Sequence, residues 1–440
     1  MNWFEDLEAD LKCASEAAVL AIRLPNFRNS MIASGADFGI AVIEAIHGRL
    51  DDRLGGKMIC RSWGDEIFAV VRDAHALGAV SQLAMKVEAA FDEPLSCLGV
   101  PLHVRPAIGI SLSPEDGTRL RELLSKAQIA SDNALHSSCR TQLFAGPMAE
   151  GIYRASAIEN ALREAMANQA LSLVFQPQFD LNIGRFSGVE ALVRWEDVRI
   201  GAVAPSDFIP IAERSGFIPR LGGWVLEEAA SQFSEHGIAE TGLEMAVNVS
   251  PRQLTERSFV FEVEDVLESS GIRPEQMTIE ITEGLMLEDI RATSATLNEV
   301  RSLGVRTAID DFGTGFSNFS YLRNLPIDQL KIDRDFVKHL GRDPRSRTVL
   351  EATINLGHGL GLQVCVEGVE TAEQMAEVRS MGCDLVQGFY LGRPCSIEQL
   401  DQNMKMDYRR ILGMTEEAVA SMQRLHVSGV AGNMSSGSGD

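Results

Sequence analysis

From residue 171 onward, the chain repeats one pattern of hydrophobic and polar residues. A short apolar or alternating run ends in a polar residue, and a segment long enough for a helix follows. The eight runs cover residues 171–177, 188–195, 245–250, 277–283, 305–311, 329–333, 362–370 and 385–390. Strands that alternate with helices in this way predict a β/α barrel, here over residues 169–402.

Strands and helices also alternate in the first part of the chain. The pattern predicts a helix that runs into a strand over 4–22, a helix at 39–54, a β-hairpin from 57–61 and 67–71, a helix at 76–91, a strand at 102–111 and a helix at 117–136. These elements predict an α/β sandwich over residues 1–148, followed by a helical linker over 149–168. After the barrel we expect a helical extension over 403–427 and a disordered tail, rich in Gly and Ser, over 428–440.

Composition narrows the classes of protein. The 440 residues are 45% hydrophobic and 23% charged, as in an ordinary globular protein. The net charge of −22 argues against nonspecific binding of nucleic acid, which requires a positive surface. No apolar run is long enough for a membrane span and the N-terminus lacks a basic signal-peptide start, so we predict a cytoplasmic protein. The seven scattered cysteines and eight dispersed histidines suggest neither a disulfide framework nor a zinc site.

Polar residues mark the ends of the predicted barrel strands. They are Glu190, Asn248, Glu280, Asp310, Asp311, Lys331, Glu367 and Gln387. In a barrel, these ends meet at one mouth, where the chemistry of such folds takes place. Any one of these residues could instead be a satisfied polar group at the rim, and Asp310-Asp311 could be a solvated turn. Several carboxylates together are costly without cations, so the set predicts an oxygen-ligand site for Mg²⁺ or Mn²⁺.

The second half of the chain carries a series of short motifs. The signature Glu190-Ala191-Leu192 is joined, in order, by Phe175-Gln-Pro, the segment 205–216, Val247-Asn-Val-Ser-Pro, Glu280-Ile-Thr-Glu, Asp310-Asp-Phe-Gly-Thr-Gly, Leu330-Lys-Ile-Asp, Val366-Glu-Gly-Val-Glu-Thr and Gln387-Gly. This series resembles the pattern of EAL-domain cyclic di-GMP phosphodiesterases. The departures from the family pattern, such as Phe175 and Phe316 in place of Tyr, remove no charged group. The resemblance implies an EAL-type, TIM-like (β/α) barrel.

The same resemblance implies roles for individual residues. Glu190, Asn248, Glu280 and Asp310 would bind one metal ion, and Asp310 would bridge to a second ion bound by Asp311 and Glu367. Lys331 would orient the attacking water or stabilise negative charge, and Glu367 would act as a base or as a ligand. The implied substrate contacts are Gln176, Leu192, Arg194, Asp311, Glu370 and Gln387. Glu283 would brace the loop 312–318, although surface pairing is the alternative for Glu283 and Glu370.

The predicted hairpin near the N-terminus has the tip sequence Trp63-Gly64-Asp65-Glu66-Ile67. This sequence resembles the motif of GGDEF-domain diguanylate cyclases, although a bulky Trp63 replaces its first glycine. The first strand leads into Ile22-Arg23-Leu24-Pro25, where the family has a metal-binding Asp. The resemblance implies a nucleotidyl-cyclase-like α/β sandwich that has lost cyclase activity and serves as a regulatory or dimerising module. Asp65 and Glu66 could still bind GTP through a metal, or could form a solvated hairpin tip.

Together, the residues and the resemblance predict an enzyme of bacterial second-messenger signalling. It would hydrolyse cyclic di-GMP to linear pGpG with two Mg²⁺ or Mn²⁺ ions, because paired divalent ions can activate water and neutralise charge on phosphoryl oxygens. The alternative is a receptor that binds cyclic di-GMP without cleaving it and signals through a partner. The family expectation is a homodimer.

Overall fold

The computed structural model of the protein describes residues 3–25, 27, 35–63, 65–74, 80–135, 137, 139–168, 170–283, 290–313, 322 and 325–404. The chain divides into two compact units between Ser156 and Ala157. This boundary lies inside the helix α5 (Gly146–Ala167), which occupies the predicted linker. Most of the predicted C-terminal extension and all of the predicted tail lie outside the described residues.

The first unit is built on a five-stranded sheet with the order β2-β3-β1-β6-β7. Its elements are α1 (Trp3–Lys12), β1 (Ala17–Arg23), α2 (Ala36–Leu54), β2 (Met58–Trp63), β3 (Glu66–Arg72), α3 (Val80–Ala89), β4 (Leu95–Cys97), β5 (Val100–Leu102), β6 (Ala107–Ser113), α4 (Leu120–Leu135) and β7 (Thr141–Leu143). The predicted strand at 102–111 begins too early, because Leu102 belongs to β5, which pairs with β4, and β6 begins only at Ala107.

The central strand β1 explains why this sheet is covered on both faces. Leu20 and Ile22 pack into a core that includes residues of α2 and α3. Val19 and Ala21 pack into a second core with residues of α1 and α4. Successive side chains of a strand point to opposite faces, so a continuous apolar run is what a doubly covered strand requires. The predicted α/β sandwich is confirmed.

The second unit contains a closed barrel of eight strands, as the pattern of eight runs predicts. The barrel strands are β8 (Leu171–Asp180), β9 (Arg185–Asp197), β11 (Glu244–Asn248), β12 (Met277–Thr282), β13 (Arg306–Phe312), β14 (Gln329–Ile332), β15 (Gln363–Val366) and β16 (Leu385–Gln387). The short β10 (Gly201–Val203) pairs with β9 outside the ring. Pairing of β8 with both β9 and β16 closes the barrel.

Helices follow most of these strands. They are α6 (Pro205–Ser215), α7 (Ile218–Glu235), α8 (Pro251–Leu254), α9 (Phe259–Ser270), α10 (Ile290–Ser302), α11 (Pro344–Gly359), α12 (Ala372–Ser380) and α13 (Ile397–Met404). Strand β9 and strands β11 to β16 run parallel to one another around the ring. Their carboxyl ends therefore meet at one mouth.

The first barrel strand runs in the opposite direction to the others. β8 is antiparallel to both β9 and β16, and the link between β8 and β9 covers only residues 181–184. A hairpin therefore replaces the first crossover helix of an all-parallel barrel. Its register places Gln176 directly opposite Glu190.

Among the described residues, no helix combines the length and the apolar character needed to cross a membrane.

Candidate active site

Five acidic side chains, carried by three strands and by the residue that follows a fourth, converge at the barrel mouth. Ligand oxygens of Glu190, Glu280 and Asp310 lie within 4.8 Å of one another, and those of Asp310, Asp311 and Glu367 form a second group with the same spacing. Asp310 belongs to both groups. The local cause is strand register, because Glu280 lies opposite Ala308 of β13 and Asp310 pairs with Thr282 near the same end.

Lys331 is at the centre of these acids, on β14. Its side chain is 0% exposed, and its Nζ lies 2.8 Å from Glu280 Oε2, 2.8 Å from Glu367 Oε1, 3.0 Å from Asp310 Oδ1 and 3.5 Å from Glu190 Oε2. Burial alone would lower the pKa of Lys331, but the surrounding carboxylates raise it well above its usual value. The ammonium therefore stays protonated.

The same burial makes ionised acids costly at this site. It raises the pKa of Glu367 to about 8 and that of Asp311 to about 6, helped in both cases by the charge of Asp310. Burial also raises the pKa of Glu280 well above its ordinary value, against the opposing effect of Lys331. Glu190 differs, because Lys331 and hydrogen bonds from Gln387 and Asn248 outweigh burial and lower its pKa.

The donor set fits divalent cations. With all groups ionised, five carboxylates and one ammonium carry five negative charges and one positive charge, a formal −4 that two divalent cations would neutralise. Glu280 Oε1 is buried and has no hydrogen-bond partner among the described residues, as expected for a free ligand atom. All of the candidate ligands are oxygen atoms, which suit Mg²⁺ or Mn²⁺.

Amide side chains donate hydrogen bonds to both carboxylate oxygens of Glu190. Asn248 Nδ2 donates to Glu190 Oε1 over 2.6 Å, and Gln387 Nε2 donates to Glu190 Oε2 over 2.6 Å. Gln387 also donates to Gln176 Oε1 over 3.1 Å and accepts from Gln178 Nε2 over 3.0 Å. The sequence analysis missed Gln178, although its spacing of two from Gln176 on β8 places both on one face.

The turn after β13 has an unusual backbone conformation. Asp311 has φ 53° and Gly313 has φ 99°. The N–H of Gly313 donates to Glu283 Oε2 over 2.8 Å, and a β-carbon on Gly313 would lie 2.3 Å from the ring of Phe336. The structure therefore places Glu283 at the start of the predicted loop 312–318, of which residues 314–318 lie outside the described part of the chain.

A cavity of about 780 Å³ opens over the acids, within the size range of ligand sites. It is lined by most of the predicted site residues, including the implied substrate contacts Gln176, Leu192, Arg194, Asp311 and Gln387. Glu370 is exposed and is not among the lining residues, so the structure does not bring it to the site. Further lining residues, to which the sequence assigned no role, are Glu213, Ser250, Gln253, Asp333, Arg334 and Asp335.

The hairpin of the first unit has different electrostatics. Glu66 accepts hydrogen bonds from Arg23 Nε over 3.0 Å and from Gln128 Nε2 over 2.8 Å. Arg23 also pairs with Asp132. Asp65 is exposed, and the neighbouring Trp63 is 65% exposed. A guanidinium, rather than a carboxylate, therefore contacts Glu66 at the end of β1.

Fold and site together define a TIM-like barrel with an acidic mouth suited to divalent cations. Residues 159–394 match the family model described as "EAL domain", and residues 2–139 match "Diguanylate cyclase, GGDEF domain". The chain belongs to the EAL-domain family and carries a GGDEF domain in tandem with it.

The chain is similar to longer proteins over most of its own length. The chain is 33% identical to "Cyclic di-GMP phosphodiesterase NbdA" of Pseudomonas aeruginosa, over 88% of this chain and 50% of that protein. It is also 33% identical to "Bifunctional diguanylate cyclase/cyclic di-GMP phosphodiesterase MucR" of the same organism, over 87% of this chain and 56% of that protein. The chain thus spans about half the length of the curated relatives it matches.

The barrel is also similar to a solved structure described as "PaMucR Phosphodiesterase, c-di-GMP complex". The two are 37% identical, with a TM-score of 0.53, over 56% of this chain and 99% of the other.

Proposed function

We propose that the barrel hydrolyses cyclic di-GMP to linear pGpG with two divalent ions, Mg²⁺ or Mn²⁺. The observation that carries the proposal is the pair of carboxylate groups that share Asp310 beneath the cavity, with ligand atoms within 4.8 Å of one another in each group. The names of the relatives NbdA and MucR support the proposal, and so does the similar MucR phosphodiesterase structure, which is a complex with c-di-GMP.

In this proposal, Glu190, Asn248, Glu280 and Asp310 hold one ion, and Asp310, Asp311 and Glu367 hold the other. When bound there, two such ions would supply an activated water and neutralise charge on the phosphoryl oxygens.

The remaining groups position charge and substrate. Lys331 stays protonated and stabilises negative charge among the carboxylates. Arg194 lines the cavity and offers guanidinium donors to a phosphate oxygen. Gln176, Leu192 and Gln387 line the same cavity and would contact the rest of the dinucleotide. Glu283 holds the turn that carries Asp311 through its hydrogen bond from Gly313.

The test is to incubate the purified chain with cyclic di-GMP and Mg²⁺ or Mn²⁺ and to follow pGpG by chromatography. We expect turnover that a chelator abolishes. Glu190→Ala should lose it, because this change removes a ligand and the acceptor of two hydrogen bonds. Glu196→Ala is the matched control, since Glu196 is exposed on the same strand and does not line the cavity. Binding without turnover in both metals would favour a receptor instead.

For the first unit, we propose a regulatory or dimerising role without cyclase activity. The support is the ion pair between Arg23 and Glu66, which places a positive charge where a metal-binding Asp is expected from the resemblance. Incubating the Glu190→Ala chain with GTP and Mg²⁺ tests this, because any cyclic di-GMP formed would survive. Its appearance would contradict the proposal.

A calorimetric titration with GTP tests whether Asp65 and Glu66 retain a nucleotide site. Heat of binding, or a change in the hydrolysis rate, would support such a site. The homodimer and the cytoplasmic location stay predictions. Light scattering tests the first, against a monomer mass of 48.0 kDa.

A further inference from the structure

The turn that follows Asn248 is held by the side chain of Gln253, which packs against helix α7. Ser250 caps the N-terminus of the short helix α8, and its backbone N–H donates to Gln253 Oε1 over 3.0 Å. Ser250 Oγ donates to Glu213 Oε1 over 2.7 Å. The N–H of Val249, the residue between Asn248 and Ser250, donates to the carbonyl of Glu280 over 2.8 Å. The segment 248–250 is therefore held by hydrogen bonds at successive residues.

The side chain of Gln253 can pack this closely against α7 because residue 222 is a glycine. A β-carbon on Gly222 would lie 1.9 Å from Gln253 Nε2, 2.3 Å from Cδ and 2.4 Å from Oε1. Helix formation does not favour glycine there, since alanine is the better helix former. The close approach of Gln253 is thus the reason that the structure offers for a glycine at this position.

The carboxamide of Gln253 has one fixed orientation. Only its oxygen can accept from the Ser250 N–H, so Nε2 must face α7. Gln253 is 3% exposed, and Nε2 has no hydrogen-bond partner among the described residues. One hydrogen bond and the fit over Gly222 hold this amide. A β-carbon at residue 222 would therefore displace the amide toward the adjoining cavity, which both residues line, before it disrupted the helix.

We propose that Gly222 and Gln253 act as a pair of positioning residues that set Asn248 against Glu190. The pair fixes the Ser250 N–H, two residues beyond Asn248, and Asn248 Nδ2 in turn donates to Glu190 Oε1 over 2.6 Å. The inference rests on the proposed function, in which Asn248 and Glu190 bind the same ion. Neither Gly222 nor Gln253 touches that ion or the substrate in this scheme.

The experiment measures Mn²⁺ binding to the chelator-treated full chain by calorimetry, without substrate. Gly222→Ala should weaken the affinity of the Asn248-containing site about tenfold or more, the scale found for residues that orient metal ligands. Hydrolysis should recover when Mn²⁺ is raised to saturation. The control is Gly223→Ala in the same helix, where a β-carbon would meet only Glu262 Oε2, at 3.8 Å. We expect this control to bind Mn²⁺ as the unchanged protein does.

Gln253→Ala provides a second route, because it removes the cap on Ser250 without a clash. It should weaken Mn²⁺ binding to a similar degree. The double variant Gly222→Ala/Gln253→Ala should match Gln253→Ala alone, since the new β-carbon then has space, and such non-additivity is the sign of direct coupling.

Unchanged Mn²⁺ affinity in Gln253→Ala, or additive effects in the double variant, would overturn the inference while the proposed function stands. If Gly222→Ala does not fold, Gln253→Ala alone decides. Failure of the unchanged protein to bind both Mn²⁺ and Mg²⁺ would overturn the proposed function and the inference with it.

Discussion

At the scale of single residues, strand periodicity was the best guide to the site. In Thr278-Ile-Glu-Ile-Thr, alternation puts Glu280 on the face opposite the isoleucines, and the structure buries it beside Lys331. In Leu330-Lys-Ile-Asp, the same alternation puts Lys331 and Asp333 on one face, and both are buried. Gly222 and Gln253 could not be predicted in this way, because their contact joins a helix to a later turn and leaves no local pattern.

We predict that Lys331→Met destabilises the metal-free protein. The change leaves several buried carboxylates without their counter-ion and should lower the free energy of unfolding by about 3–5 kcal/mol. Added Mn²⁺ should raise the melting temperature of this variant more than that of the unchanged chain, since it supplies the missing positive charge. Denaturant unfolding with and without Mn²⁺ measures both effects.

Lys338→Met is the matched control for this prediction. Its ammonium pairs with Asp335, but its side chain is 52% exposed, so we expect a loss below about 1 kcal/mol. Equal losses in the two variants would contradict a special role for the buried lysine.

A second prediction concerns Gly388. A β-carbon there would lie 2.1 Å from the carbonyl oxygen and 2.4 Å from the nitrogen of Val369, two residues after Glu367. Gly388→Ala must therefore separate two backbones, at a cost of about 1–3 kcal/mol or more, and should reduce hydrolysis as Glu367 moves. Gly359→Ala is the control, because a β-carbon there meets nothing within 4 Å. We expect its free energy of unfolding and its kcat to equal those of the unchanged protein. Unfolding curves and kcat compare the two.

At the scale of elements, the apolar runs predicted all eight barrel strands but not their directions. Alternation is the same whether a strand points up or down, so it could not show that β8 is reversed. The four residues between β8 and β9 were the available signal, because a parallel crossover needs a dozen or more residues. The early start given to the strand at 102–111 has a similar cause, since the apolar Leu102 fits the pattern of a strand but pairs with β4 instead.

The turn after β13 yields a prediction at this scale. Glu283→Ala removes the acceptor of the Gly313 N–H, so the turn that carries Asp311 should lose its support. We expect Mn²⁺ affinity to fall about 10–100-fold, with a parallel fall in kcat/KM at limiting metal. Glu268→Ala, on the exposed side of α9, is the control. Calorimetry that finds equal affinities would show that Glu283 does not act through this turn.

At the scale of the whole molecule, the net charge of −22 predicts that the chain does not bind nucleic acid nonspecifically. We expect no rise in the fluorescence anisotropy of a short DNA duplex at about physiological ionic strength, because the chain has too little positive surface to displace counterions. The measurement should be made with and without Mg²⁺, since bound cations change the local charge. Binding that weakens as salt is added would contradict this prediction.

The reversal of β8 also decides where the chain joins the ring. β9 and the parallel strands end at the mouth, so a first strand that runs against them must begin there, and β16 also ends there. Both connections, before residue 171 and after residue 387, thus lie on the rim that carries the carboxylates. In an all-parallel ring, the incoming connection would lie on the opposite floor. A displacement of the segment that precedes residue 171 would therefore act close to Gln176 and Glu190, and its effect would not have to cross the barrel.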